Sequence, residues 1–151
     1  MRYGVIIPIE GVLSGDDNLR SGSVTDWGRR LYESLRSEYR IILFTASDDE
    51  LARVWLTNNF MGDFASLMTA DSSWRTYEDW RIDTVRQMLA DGAELSMMVD
   101  MDPEVLRQVS NMGLLTMLLI PPAQRRGWRH HQEEARPWSE VAGSVRNGGS
   151  V

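Results

Sequence analysis

The chain has 151 residues, of which 42% are hydrophobic and 25% charged, the size and balance of one globular domain with a real core. Its 22 acidic and 16 basic residues leave a formal net charge of -6, which disfavours general binding to nucleic-acid backbones because that needs a basic surface. It has no cysteine, hence no disulfide or thiolate metal site; no apolar run approaches the ~18 residues of a membrane span, and no basic-then-apolar leader opens the chain, so a cytoplasmic location fits.

All 16 basic residues are arginine, which points to a GC-rich genome more than to selection for bidentate recognition. Along the chain, strand and helix patterns alternate, the signature of a parallel α/β sheet. Residues 3–9 predict a first strand that runs into a turn at Gly11. A polar loop, 14–23, precedes a helix over 25–38 with Trp27, Leu31 and Leu35 on one face. Residues 40–44 form a continuous apolar run, the pattern of a strand buried on both faces, and it ends at Thr45. Ser47 and Glu50 have capping-box spacing, opening a helix that carries Leu51, Val54 and Trp55 toward the core.

A third strand is expected over 64–69. Thr76 and Asp79 open another helix, which buries Tyr77, Trp80, Thr84, Met88 and Leu89 and runs to Asp91, where Gly92 stops it. The fourth strand, 95–99, leads to Asp102 as N-cap and Pro103 at the first helical position; Leu106, Val109 and Met112 face inward and Gly113 lies past the end. The fifth strand is 114–120. After Pro121 and Pro122 the composition shifts to a loop with Arg125, Arg126, Arg129, His130, His131 and Arg136, then a short docking helix over 138–145 and a disordered tail over 147–151. Residues 1–122 therefore read as the core domain and 123–151 as an appended segment, with no internal repeat.

An apolar strand that turns at a glycine and continues into a helix delivers its last residues to the carboxyl edge of the sheet, where α/β proteins place ligands. Here those residues are Pro8, Glu10, Gly11, Val12 and Leu13; the run from Arg40 to Thr45, then Arg81, then the segment from Met97 through Asp100 and Asp102 to Glu104 follow in order. In that order they resemble the four motifs of the haloacid dehalogenase (HAD)-like superfamily, whose first motif is an apolar strand followed by Asp-x-Asp-Gly-Thr/Val-Leu/Ile. The resemblance covers roughly the first 120 residues, about one domain. It implies a three-layer, Rossmann-like α/β fold with a parallel five-stranded sheet flanked by helices. A loop of residues 14–23 has room for a small flap and no cap domain. The fourth motif and the closing Arg136, Pro137 and Trp138 resemble small members encoded by bacteriophages, which would place the protein in a bacterial cytoplasm.

The resemblance assigns roles residue by residue. Pro8 stands where the family has its nucleophilic Asp, Glu10 where it has the general acid/base Asp, Thr45 where a hydroxyl holds a phosphoryl oxygen, and Arg81 where motif III has Lys. Asp100 matches the first acid of motif IV, Met101 stands at the second, and Asp102 follows. In this chemistry a carboxylate attacks phosphorus, a second carboxylate moves the proton, and Mg2+ on hard oxygen ligands offsets the oxyanion. Pro8 supplies neither carboxylate nor backbone N–H, and Glu10 is one methylene too long for a site with sub-ångström tolerance. By composition alone Glu10 reads as an exposed strand-end carboxylate and Arg81 as a solvated or snorkelling helix side chain. In the fold implied, Asp100 sits beside Pro8 and Glu10; one carboxylate and a displaced glutamate make a weak Mg2+ site, so no cofactor is expected.

The expectation is a catalytically disabled member, a pseudo-phosphatase that binds a protein or a small phosphorylated ligand. The alternative is a weak Mg2+-dependent phosphohydrolase or nucleotidase using Glu10 and Asp100. A third class, nucleic-acid binding through the arginine-rich segment, is disfavoured by the acidic balance. His130 and His131 lack an acidic or thiolate partner at ligand spacing, and Asp16 and Asp17, the other acids near the first motif, sit on a loop too loose for an attacking group. Arg125, Arg126, Trp128, Arg129 and Trp138, with Trp74, have the composition of a partner-binding surface.

Overall fold

In the computed structural model the described residues are 2–70, 73 and 76–120. Trp74 and everything expected of 121–151 lie outside them: Arg125, Arg126, Trp128, Arg129, His130, His131, Trp138, the docking helix and the tail.

The strands are β1 (Gly4–Pro8), β2 (Arg40–Thr45), β3 (Ser66–Thr69), β4 (Leu95–Asp100) and β5 (Leu115–Leu118). The helices are α1 (Asp26–Leu35), α2 (Asp49–Asn58), α3 (Tyr77–Ala90) and α4 (Pro103–Ser110). All strand pairs are parallel, in the order β3-β2-β1-β4-β5. This is the α/β Rossmann-like architecture expected. Several expected strands and the first helix are a residue or more too long at an end, where propensity continues after the ladder has stopped.

Two-residue alternation along the strands sorts the core into two layers. Val5, Ile7, Ile41, Leu43, Met97 and Val99 face one side and pack with Tyr32 of α1 and Ala52, Trp55 and Leu56 of α2. Ile6, Ile42, Phe44 and Met98 face the other and pack with Trp80 and Val85 of α3 and Val105, Leu106 and Val109 of α4. With helices on both faces, the chain leaves β1 toward β2 and leaves β4 toward β5. The loops after these two adjacent strands diverge, and the crevice between them is the switch point at which such sheets bind ligands.

Local signals hold at most helix ends. Thr25 caps α1 through the Gly28 N–H, Thr76 caps α3 through the Asp79 N–H, and Asp102 caps α4 with Pro103 at its start. Gly92 and Gly113 adopt φ of +83° and +90°, the left-handed conformation in which only glycine is unstrained.

Four expectations change. Ser47 does not cap α2: the N-cap is Asp48, and the Ser47 hydroxyl is drawn to a buried carboxylate instead. Val54 is 51% exposed, because α2 turns Ala52, Trp55 and Leu56 to the sheet and leaves Val54 on the outer side. On α3 the fully buried positions are Trp80, Arg81 and Val85, whereas Tyr77, Thr84, Met88 and Leu89 are only half-buried. The 14–23 loop is also less polar in effect than in composition, since Leu19 enters the core and the Trp55 indole N–H donates to Gly22 O at 3.0 Å.

Candidate functional site

The backbone turn after β1 builds the first wall. Ile9 N–H donates to Phe44 O on the β2 side, and Gly4 N–H donates to Glu94 O on the β4 side. By alternation, the Pro8 nitrogen faces β4, where a proline has no proton to donate, and the β1–β4 ladder ends at Ile6 and Met98. Gly11 follows at φ +88°, so the turn needs glycine for its conformation; a Cβ there would lie 2.7 Å from Met101 Cε, the flexible end of a side chain that lies against the turn.

Glu10 is buried, contrary to the exposed reading. Its Oε1 accepts three hydrogen bonds: from Thr45 Oγ1 (2.5 Å), Ala46 N (3.1 Å) and Ser47 Oγ (2.9 Å). Its Oε2 is buried with no hydrogen-bond partner. The donors come from the end of β2, paired with β1, so the longer glutamate side chain reaches across the strand gap to them. Thr45 is completely buried and also accepts from Ser47 N–H.

Arg81 is buried too, rather than solvated, at 5% exposure. Its Nε lies 3.0 Å from Asp100 Oδ2 and its Nη2 lies 3.8 Å from Asp102 Oδ2. The close contact is an ion pair by distance, but the N–H is off line and neither Arg81 Nε nor Asp100 Oδ2 makes a hydrogen bond. The guanidinium also lies 4.3 Å from the centre of the Tyr77 ring, in cation–π contact, and Tyr77 stacks on Trp80, which meets Phe44 edge-on. Burial raises the Tyr77 phenol well above its usual value, and the nearby Glu10 carboxylate adds to this, with Arg81 opposing it.

Asp100, at the end of β4, is 4% exposed. Its Oδ1 accepts from Met101 N (2.7 Å) and Asp102 N (3.0 Å). Burial raises its pKa, and Arg81 and these two N–H groups only partly oppose the shift. Asp102 uses Oδ1 for its helix cap, accepting from Glu104 N (2.9 Å) and Val105 N (3.4 Å).

Glu10, Arg81, Asp100 and Asp102 line one cleft of about 590 Å³, together with Tyr77 and Asp17. Thr45 reaches the site through Glu10; Pro8 is buried and does not line the cleft. Asp16 does not line it either, because its carboxylate accepts from Asn18 N and Ser21 Oγ within its own loop. Among the described residues no group of three His, Asp or Glu side chains could hold a metal ion. As placed, the donor set does not fit Mg2+: Glu10 Oε1 and Asp100 Oδ1 already accept N–H and O–H protons, Asp100 Oδ2 faces a guanidinium, and Pro8 has no side-chain oxygen.

Sequence reasoning missed Ser47 and Tyr77 as site residues. Ser47 stands two residues after Thr45, close enough for both hydroxyls to serve one acceptor. Tyr77 stands four residues before Arg81 on the same helix, a spacing that puts ring and guanidinium on one face.

No protein-family model matches this chain, and no curated protein matches it. Solved structures do. A chain of the Pnkp1/Rnl/Hen1 RNA repair complex superposes with a TM-score of 0.63 at 15% identity, over 79% of this chain and 42% of that one. A second structure of the Pnkp1/Rnl/Hen1 complex gives 0.59 at 15% identity, over 79% of this chain and 46% of that one. The haloacid dehalogenase-like hydrolase SP0104 from Streptococcus pneumoniae gives 0.59 at 9% identity, over 79% of this chain and 85% of that one. This chain thus spans less than half the length of the chains it resembles in the RNA repair complexes. At such identities the likeness is one of fold: the five-stranded parallel sheet with its flanking helices is that of HAD-like structural neighbours.

Proposed function

We propose that this protein is a capless, catalytically disabled HAD-like protein, a pseudo-phosphatase that serves as a protein- or ligand-binding module. One observation carries the reading: Glu10 Oε1 takes up the Thr45 hydroxyl, the Ala46 N–H and the Ser47 hydroxyl. In an active site of this type the donors at the end of the second strand meet the substrate's phosphoryl oxygens. Here an internal carboxylate, itself an oxyanion, fills that cradle and holds it against a second anion. Pro8, at the nucleophile position, adds no attacking group.

The alternative, weak phosphohydrolysis by Glu10 and Asp100 without a covalent intermediate, is favoured by their sharing one cleft. Against it, both carboxylates are already held by protein donors. That two structural neighbours lie in an RNA repair complex supports a role inside a protein assembly, and the segment with Arg125, Arg126, Trp128, Arg129 and Trp138 is our candidate for the contact. The resemblance of the closing motif to small phage-encoded proteins supports a phage origin and a bacterial cytoplasm.

The test is turnover of phosphomonoesters and deoxynucleotides, with and without Mg2+. The parent should stay at background. Turnover that vanishes in Asp100→Asn would overturn the reading, because a contaminating phosphatase would survive that substitution.

A further inference from the structure

Residues 14–23 read as a small flap beside the cleft, and a flap that swings would decide what the cleft can hold. The structure instead ties this segment to itself. At its base Ser14 forms an antiparallel bridge with Val24, Gly15 N–H donates to Ser23 O at 3.2 Å, and Thr25 N–H donates to Leu13 O at 2.9 Å. Ends that meet in this way make the stretch between them an Ω-loop, a compact excursion packed by its own side chains. Ser14 is completely buried, and its hydroxyl donates to Asp16 O and accepts from Asp16 N–H. The Asp16 carboxylate accepts from Asn18 N–H and the Ser21 hydroxyl, and Gly22 N–H donates to Asn18 O at 2.8 Å.

Two anchors join this loop to the body of the domain. Leu19 is 3% exposed and belongs to the core cluster that holds Tyr32, Trp55 and Leu56. The Trp55 indole N–H donates to Gly22 O at 3.0 Å. Swinging the loop away would carry Leu19 into water and leave the indole without its acceptor. The fit at the turn is close as well: a Cβ on Gly22 would lie 2.5 Å from Ser14 Oγ and 3.0 Å from Asn18 O, so the loop closes only around a residue without a side chain. Asp17, carried on this loop, lines the cleft.

We propose that residues 14–24 are a fixed wall of the cleft rather than a gate. Burial of one leucine and one indole hydrogen bond together favour the seated loop over a released one by roughly a hundredfold or more. A ligand that needed the loop released would lose affinity by that same factor. The cleft therefore meets its ligand or partner as a preformed surface, without closure of this wall. The inference goes beyond the disabled-site reading and does not depend on it.

Amide hydrogen exchange of the full chain, followed residue by residue by NMR, tests it. The Gly15 and Gly22 N–H groups, both bonded within the loop, should exchange roughly a hundredfold or more slower than in an unstructured peptide. Gly22→Ala, which drives a methyl against Asn18 O, should speed exchange at Gly15 by about tenfold or more, while the β1 amides of Ile6 and Ile7 stay the better protected. Trp55→Phe removes the indole donor, keeps a ring in the core, and gives the same readout if Gly22→Ala does not fold. Parent exchange at Gly15 and Gly22 within about threefold of the unstructured rate would overturn the proposal. So would a folded variant that keeps the parent's protection at Gly15. Asp100-dependent turnover would refute the disabled-site reading and leave the fixed wall standing, and fast loop exchange without turnover would do the reverse.

Discussion

Replacing Arg81 with methionine keeps most of the side-chain volume and removes the charge facing Asp100. The pair sits at 3.0 Å with both side chains at most 6% exposed. At an effective dielectric of about 20, that separation corresponds to about 5 to 6 kcal/mol of attraction. Not all of it is lost, because Asp100 keeps its two backbone N–H bonds and water can follow the vacated guanidinium. Breaking a buried pair from one side typically costs about 3 to 5 kcal/mol, and the lost contact with Tyr77 adds roughly 0.5 to 1. We expect a loss of about 3.5 to 6 kcal/mol at pH 7, read in equilibrium urea unfolding as a midpoint lower by about 2 to 3 M.

The pH dependence discriminates this cause from simple loss of packing. Asp100 is already raised from its ordinary value of 3.8, and removing Arg81 raises it further. Between the ordinary and the raised value the folded chain holds a proton that the unfolded chain has released. Stability is therefore greatest below that window and falls as pH rises through it, more steeply in the variant. The gap between parent and Arg81→Met should shrink when unfolding is repeated at pH 4.5. Adding Asp100→Asn to Arg81→Met should recover much of the loss. A deficit below about 1 kcal/mol, or one that is the same at both pH values, would refute the view that Arg81 is held there to compensate Asp100.

Three further outcomes follow from the same geometry. The double change Pro8→Asp and Glu10→Asp shortens the side chain that fills the Thr45 cradle and puts a carboxylate at the strand end; calorimetry should show tighter Mg2+ and phosphate binding than in the parent, and a folded variant that gains neither would mean that a carboxylate at position 8 does not reach the cleft that Glu10 and Asp100 line. Gly11→Ala should destabilise by about 1 to 3 kcal/mol, since its φ is +88°; the new methyl would meet only the flexible end of Met101 at 2.7 Å, so shortening Met101 to alanine in the same chain should recover little of the loss, measured by thermal unfolding. Truncation after Pro122 should leave a cooperatively unfolding domain, because among the described residues the buried side chains of both layers lie within residues 5–114, and should abolish capture of a partner if the arginine- and tryptophan-rich segment carries it.

How much of this was legible in the sequence divides along a physical line. Strands and helices rest on local facts: apolar runs of β-branched residues, Thr25, Thr76 and Asp102 poised to accept N–H bonds, and glycines where φ turns positive. Each is settled within a few residues, so order and type of element could be read directly, whereas the meeting of β1 and β4 was expected only from the resemblance to HAD-like proteins, since a parallel pattern leaves strand order open. The charged and hydroxyl groups were different. Glu10 looked like a solvated carboxylate and Ser47 like a helix cap, and only the pairing of β1 with β2, which brings together groups 37 positions apart, made them partners. Arg81 looked solvated until α3 packed on the sheet and carried it to Asp100. A buried polar side chain takes whatever donor or countercharge the tertiary fold delivers, and no periodicity in the chain encodes that delivery.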